Sequence, residues 1–487
     1  MSNLELHFEK FRNNIIGIDA NFKSPFGDKK LIYADWIASG RLFGPIEEKI
    51  QNMFGPFVGN THSESSITGN LMTSSYHKAQ KVIKSHVNAG QDDIIISAGF
   101  GMTAVVNKLQ RILGLRISER YKDCISIKDE DKPIVFITHM EHHSNQTSWL
   151  ETIADVKIIE PDNKGLIDLG NLNNLLNKYK DRKIKIGAFT AASNVTGITT
   201  DYHKLAKIMH QHDGLCFIDF AASAPYVKIN MHPEDPLEKL DAIYFSPHKF
   251  LGGPGTAGVL IMDKNLDTCS VPDHPGGGTV DWTNPWGQHK YVNDVEARED
   301  GGTPGFLQTI RTALCIKLKD EMGAENILKR EEELVEIAFS EFSKIPQLHI
   351  LASEIQNRLG VLSFYIEDIH YNLAVKILND RYGIQVRGGC SCAGTYGHYL
   401  LHVDPTRSQR ITDKISKGDL SEKPGWIRMS LHPTMTNDEL ITILNAIKEI
   451  IANIKIWEKD YIYDISTNEY HHVNDEGLES IVENWFS

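Results

Sequence analysis

Between about residues 90 and 265, apolar runs of strand length alternate with stretches whose apolar residues recur every three or four positions. The pattern predicts strands at Asp93–Ser97, Ile134–Thr138, Val156–Ile159, Lys185–Thr190, Leu215–Asp219, Asp241–Phe245 and Gly258–Met262. Helices are predicted at Met102–Leu115, Ser144–Ile153, Leu169–Lys180 and Tyr202–Gln211. Strands separated by helices imply a mainly parallel sheet covered on both faces, an α/β fold. Ligands of such sheets lie beyond the carboxyl ends of the strands, so chemistry is sought just after each run.

After residue 305 the texture changes. Phe306–Met322, Asn326–Lys344, Tyr371–Tyr382 and Asn437–Ile454 read as helices, and Leu359–Glu367 and Trp426–Ser430 as strands, a smaller α+β unit. Thr406–Pro424 is polar and mixed in charge and is expected to be a surface loop, as is the charged cluster Lys128–Lys132. The expected organisation is an N-terminal segment (1–29), a large domain (30–305), a small C-terminal domain (306–456) and an extension (457–487) that carries aromatics among acidic residues and suggests no chemistry.

Length and composition suit this plan. The 487 residues are enough for a large domain with a satellite, and 41% hydrophobic with 24% charged residues is ordinary for a globular chain. With 51 Lys+Arg against 64 Asp+Glu the net charge is −13, which argues against nucleic acid as a partner. Six scattered cysteines do not make a disulfide framework, and reduced thiols are expected. The first twenty residues are interrupted by charges, and no run reaches the length of a membrane span, so a cytoplasmic enzyme with no membrane partner is expected.

The segment Asp241–Met262 carries the strongest chemical signal. A strand ends at Phe245, presents Ser246, His248 and Lys249, and turns through glycines into another strand. A desolvated lysine at a strand end is suited to Schiff-base chemistry, and pyridoxal phosphate would supply the aldehyde together with a phosphate for Ser246 and His248. Alone, an ordinary loop lysine would explain the stretch equally well. However, Leu215–Asp219 is an apolar strand that ends in a carboxylate, suited to pair with a pyridine nitrogen, although an aspartate capping a turn is common. The run from Ile94 passes through Gly101, Met102 and Thr103 into a helix, a strand-to-helix turn able to cradle an anion. Glu141-His142-His143 follows another strand and could place an imidazole over a planar ring, where a structural histidine is the bland alternative.

In order and spacing, Gly101-Met-Thr103, Glu141-His-His143, Ser193-Asn-Val-Thr-Gly197, Asp219, Ser246-Pro-His-Lys249 and Arg387-Gly-Gly-Cys-Ser-Cys-Ala393 resemble the class V aminotransferase family, within it the cysteine desulfurase and selenocysteine lyase branch. The resemblance covers roughly residues 30 to 455. It implies a pyridoxal-phosphate enzyme of fold type I, with a mainly parallel seven-stranded sheet in the large domain, a smaller α+β domain, and a homodimer. It also implies that Lys249 holds the cofactor and acts catalytically, that Asp219 pairs with the pyridine nitrogen and that His142 stacks on the ring. Gly101, Met102, Thr103, Ser246 and His248 would bind the phosphate, and Thr279, in Gly276-Gly-Gly-Thr279, would reach the phosphate of the neighbouring subunit. Asn194 would lie near cofactor and substrate, and Arg428, with Arg387, would face the substrate carboxylate. The chain departs from the pattern at Asp219-Phe-Ala-Ala222, where desulfurases usually have a glutamine at the last position.

Cys392 occupies the position of the desulfurase nucleophile, with Cys390 two residues earlier and glycines at 388, 389 and 394 around them. The expected reaction removes sulfur from L-cysteine, leaving L-alanine and a Cys392 persulfide that a sulfur-acceptor protein could take. Zinc binding by Cys390, Cys392, His398 and His402 fits no usual spacing, and no metal is expected. A redox dithiol, or a pair of bystanders in an aminotransferase or lyase acting on another amino acid, remain the alternatives. A non-catalytic scaffold is disfavoured by the Lys249, Asp219 and His248 set.

Overall fold

The structure is a computed structural model that describes every residue except Met1, His62 and Glu476. Helices α1 (Asn3–Arg12) and α2 (Ile67–His86) precede a central sheet of seven strands. These are β1 (Asp93–Ala98), β2 (Ile134–Thr138), β3 (Asp155–Ile159), β4 (Lys185–Thr190), β5 (Leu215–Asp219), β6 (Ala242–Phe245) and β7 (Gly258–Asp263), in the spatial order β1-β7-β6-β5-β4-β2-β3. Strand β7 is antiparallel to both neighbours, β1 and β6, while the remaining pairs are parallel. Six strands therefore run the same way and bring their carboxyl ends to one edge.

The strands are apolar on both faces because each face is covered. Ile94, Ile96, Val135, Ile137, Phe217, Tyr244 and Leu260 pack with α3 (Met102–Ile112) and with Trp149 of α4 (His143–Leu150). The alternate residues Ile95, Phe136, Phe189, Ile218, Ile243, Phe245 and Ile261 join the core that contains Leu172 and Leu176 of α5 (Leu169–Lys178) and Leu205 and Met209 of α6 (Tyr202–Gln211). Each such fully buried side chain contributes roughly 1.5–3 kcal/mol, so shifting a strand by one residue would send its side chains to the wrong one of the two cores.

Helices α7 (Phe306–Met322) and α8 (Ala324–Phe342) lead to a second sheet of β8 (Leu348–Ile350), β9 (Val361–Ile366), β10 (Arg387–Gly389) and β11 (Trp426–Ser430), wholly antiparallel in the order β8-β9-β11-β10. Helix α9 (Tyr371–Tyr382) lies between β9 and β10, and α10 (Gly394–Leu400) follows the cysteine pair. The expected loop at 406–424 is corrected in part: α11 (Pro405–Ile415) is a helix capped by Asp404, whose carboxylate accepts from Thr406 N and Arg407 N. Only Ile411 of that helix is buried, so it lacks the apolar stripe by which a helix is recognised.

The long helix α12 (Asn437–Trp457) begins with a capping box between Thr436 and Glu439 and is followed by a hairpin of β12 (Tyr461–Asp464) and β13 (Glu469–His472), then by α13 (Glu479–Phe486). The N-terminal segment docks against the C-terminal helices, with Arg12 paired bidentately to Glu439 at 2.7 Å. Residues Ile32–Tyr33 pair in parallel with Ile384–Gln385, just before β10, and Asp35 bridges in parallel to Ser430 of β11, so this early segment touches the small sheet.

Candidate active site

A cleft of about 210 Å³ opens at the carboxyl edge of the large sheet, where that edge meets β10 and β11. Met102, Thr103, His142, Asn194, Asp219, Ser246, His248, Lys249, Arg387, Cys392 and Arg428 all line it. Gly101 lies against Ser246 and His248 at the same end. Thr279 does not line this cleft; it is buried, and its hydroxyl donates to Gly276 O at 2.7 Å.

At the cleft's floor β5 ends in Asp219. The carboxylate is buried and accepts a hydrogen bond from Ala221 N at 2.8 Å. Burial pushes its pKa up to about 6, against the opposing pull of that amide and of Lys249. A bound cation, such as a protonated ring nitrogen, would restore the charged form. One strand over, β6 ends at Phe245 and a short turn carries Lys249. Burial brings the Lys249 amine down to about 8, with Asp219 resisting the shift. The amine thus has a substantial neutral fraction near physiological pH, as a carbonyl nucleophile requires.

His142 caps α4, its Nδ1 accepting from Ser144 N at 3.1 Å. Burial, with Lys249 and His143 nearby, brings it down to about 3, so the ring is neutral and its proton lies on Nε2. A neutral, flat imidazole at this place can lie against a planar ligand. The preceding Glu141 is buried and raised to about 7 by burial, yet it is fully engaged. It accepts from Thr138 Oγ1 at 2.6 Å, Thr190 N at 2.9 Å and Asn145 Nδ2 at 2.8 Å, which ties the ends of β2 and β4 to α4.

The other end of the cleft is built to hold an anion. Gly101 has φ +99°, and a Cβ there would lie 3.0 Å from Ser246 Oγ and 3.4 Å from the His248 ring. Met102 N donates to Ser246 Oγ at 2.8 Å, which leaves the serine hydrogen free to donate elsewhere. Thr103 Oγ1, in the first turn of α3, lies 2.7 Å from Ser144 Oγ in the first turn of α4. Burial lowers His248 to about 4, so it too is neutral.

Arg387 and Arg428 are direct cross-strand partners in β10 and β11. Like charges in that arrangement repel, and Asp35 resolves the conflict. Its Oδ1 accepts from Arg428 Nη2 at 2.8 Å, and its Oδ2 from Arg387 Nε at 3.1 Å. Sequence reasoning missed Asp35, although it follows the apolar run Ile32–Ala34 as Asp219 follows the apolar run Leu215–Ile218. Arg428 is only 4% exposed at its side chain while Arg387 is 50% exposed, so the first is fixed and the second can swing. Arg428 Nε and Asn194 Oδ1 are buried with no hydrogen-bond partner among the described residues, two polar atoms left for a ligand to satisfy. Ala222, at the departure from the desulfurase pattern, also lines the cleft.

A larger open groove of about 940 Å³ lies elsewhere, beside α2 and the junction of α7 and α8. Its buried Lys319 donates to Ala224 O and Val227 O and is thereby a structural lysine. Among the described residues, the chemistry-bearing side chains named above converge on the smaller cleft.

Comparison with known proteins agrees with this geometry. The family model for aminotransferase class-V matches residues 32–442. A "Probable cysteine desulfurase" of Staphylococcus aureus is 28% identical over 370 residues, 75% of this chain and 84% of that protein. One from Staphylococcus epidermidis is 29% identical over 374 residues, with the same shares covered. Among solved structures, the apo cysteine desulfurase of Thermococcus onnurineus superimposes with a TM-score of 0.73 at 21% identity, over 91% of this chain and 98% of that one. The Escherichia coli cysteine desulfurase CsdA gives 0.70 at 20% identity with the same coverage. Since the matched span runs from the strand before Asp35 past the arginine strand β11, it takes in both sides of the cleft, and the chain belongs to the class-V aminotransferase family of pyridoxal-phosphate-dependent enzymes.

Proposed function

We propose that the protein is a cysteine desulfurase that converts L-cysteine to L-alanine and leaves the sulfur on Cys392. The observation that carries this reading is that Cys392 lines the same cleft as Lys249, Asp219 and Arg428. The named relatives point the same way.

The residues fit pyridoxal phosphate. Gly101 leaves room beside Ser246 and His248 for a phosphate, Asp219 offers a carboxylate to the ring nitrogen, and His142 offers a flat neutral face. When bound, the cofactor supplies an electron sink for the α-carbon of an amino acid. Arg428 and Arg387 hold the substrate carboxylate. Lys249 Nζ takes the proton from the substrate α-carbon, a task suited to an amine lowered to about 8. Cys392 Sγ, as thiolate, attacks the substrate sulfur; the new S–S bond forms as the substrate C–S bond breaks. Thr279 serves the neighbouring subunit in a homodimer, and the boundaries 30–305 and 306–456 divide the cofactor domain from the domain that carries Cys392. The persulfide passes to a sulfur-acceptor protein.

Replacing Cys392 with Ser in the holoenzyme is expected to abolish persulfide and reduce alanine formation from L-cysteine by at least a hundredfold. Alanine produced at the wild-type rate would sink the reading. Ala222 in the cleft favours a second reading, an aminotransferase or lyase acting on another amino acid. A panel of amino acids, with and without keto acids, separates the two by whether a new amino acid or a persulfide appears.

A further inference from the structure

The segment that bears Cys392 is held in a conformation it would not adopt alone. Ser391 and Cys392 have φ of +52° and +56°, two successive non-glycine residues in the left-handed region. Each is less favourable than ordinary backbone for a residue with a side chain, so contacts outside the segment must compensate.

Three of those contacts fall on residues 391–394. Asn194 Nδ2 donates to Ser391 O at 2.7 Å. The backbone N–H of His143 donates to Cys392 O at 2.8 Å, and the His143 side chain accepts at Nε2 from Gly394 N, also at 2.8 Å. His143 therefore grips the residue that carries the thiol and the residue two beyond it. Its acceptor role requires a neutral ring, and burial lowers its basicity in that direction. The approach is close, since a Cβ on Gly394 would lie 3.1 Å from His143 Nε2. One turn further along α4, Gln146 and Thr395 exchange hydrogen bonds at 2.8 and 2.9 Å, which fixes the start of α10.

We propose that His143 is a positioning residue that latches the Cys390–Gly394 segment against the start of α4 and so holds Cys392 at the cleft. This rests on the reading of Cys392 as the sulfur-accepting thiol. Neighbouring residues of one helix start then have separate tasks: His142 faces the cleft, and His143 holds the segment that closes on it. Unlatching would let the strained backbone relax and carry a persulfide outward.

The test is amide hydrogen exchange across residues 388–396 of the holoenzyme, together with single-turnover persulfide formation. His143→Leu removes the acceptor, whereas His143→Gln can place an amide oxygen near the same point. The latch predicts exchange at least tenfold faster in the Leu variant, a fall of about tenfold in the persulfide-forming rate, an unchanged KM for L-cysteine, and substantial recovery of both rates in the Gln variant. Gly394→Ala keeps the imidazole but crowds it and is expected to speed exchange likewise; it decides the matter alone if the Leu variant does not fold. Unchanged exchange in the variants, or faster exchange with an unchanged persulfide rate, would overturn the latch. Full activity in Cys392→Ser would overturn the assigned thiol instead, so the two failures are distinct.

Discussion

Lys249 shows how a single side chain acquires its chemistry from where a strand stops. Removed from water at the end of β6, its ammonium form loses hydration that Asp219 only partly replaces, and the amine falls to about 8 rather than the usual value of about 10.4. Because the neutral amine is the nucleophile, the rate at which the apoprotein takes up pyridoxal phosphate is expected to rise with pH through about 8 and then level. Stopped-flow measurement of the yellow colour between pH 6 and 10 tests this. A rate that still climbs tenfold per unit up to pH 10 would mean an ordinary, solvated lysine. Lys249 and Asp219 were legible in the sequence because Asp219 ends one apolar run and Lys249 lies in the short turn after another. Asp35 and His143 were not, because their significance depends on partners 352 and 251 positions away, Arg387 and Gly394. No local pattern states such a pairing.

Elements were legible to the degree that burial shaped them. Strands β2, β4 and β5 and helices α6, α7 and α9 have the bounds that periodicity predicts, since both faces of the large sheet and one face of each of these helices meet a core. The helix α11 was missed for the converse reason: it is stabilised by an Asp404 cap and a leading proline while burying little. The turn from β1 into α3 is where element geometry and ligand chemistry coincide. Gly101 has a backbone that a side chain adopts only under strain, and a Cβ would intrude on Ser246 and His248. Gly101→Ala is therefore expected to weaken pyridoxal phosphate binding by at least tenfold while far-ultraviolet circular dichroism stays unchanged. Equilibrium titration of the apoprotein gives the dissociation constant. Unaltered affinity would show that this turn is not the phosphate cradle.

At the scale of the whole molecule, the C-terminal extension, to which the sequence lent no role, reaches the cleft through one relay of polar contacts. Asn468, in the hairpin of β12 and β13, donates to Tyr371 Oη at 2.6 Å, and its carbonyl accepts from Asn372 Nδ2 at 2.6 Å. The Asn372 side chain lies against Gly388 so closely that a Cβ there would be 2.0 Å from its Oδ1. Gly388 follows Arg387 in β10, so the hairpin braces the strand that presents the more exposed of the two arginines. Arg381 adds an ion pair to Asp460 at 2.6 Å and lies over the Phe26 and Trp457 rings, which joins both ends of the chain to α9. The final helix α13 differs, with Ile481, Val482, Trp485 and Phe486 exposed. Ending the chain after Trp457 should take the Asn468 carbonyl from Asn372 Nδ2 and leave Tyr371 Oη with Lys423 O as its partner, at about 1–3 kcal/mol if the Asn372 amide stays buried, and loosen β10. The expected result is a melting temperature lower by several degrees and a KM for L-cysteine raised several-fold. Ending it after Gly477 removes only α13 and the turn before it, so both values should stay at those of the full chain. Equal effects from the two truncations would mean that α13, rather than the hairpin, carries the support, and an unchanged KM in the shorter chain would mean that Arg387 does not depend on it.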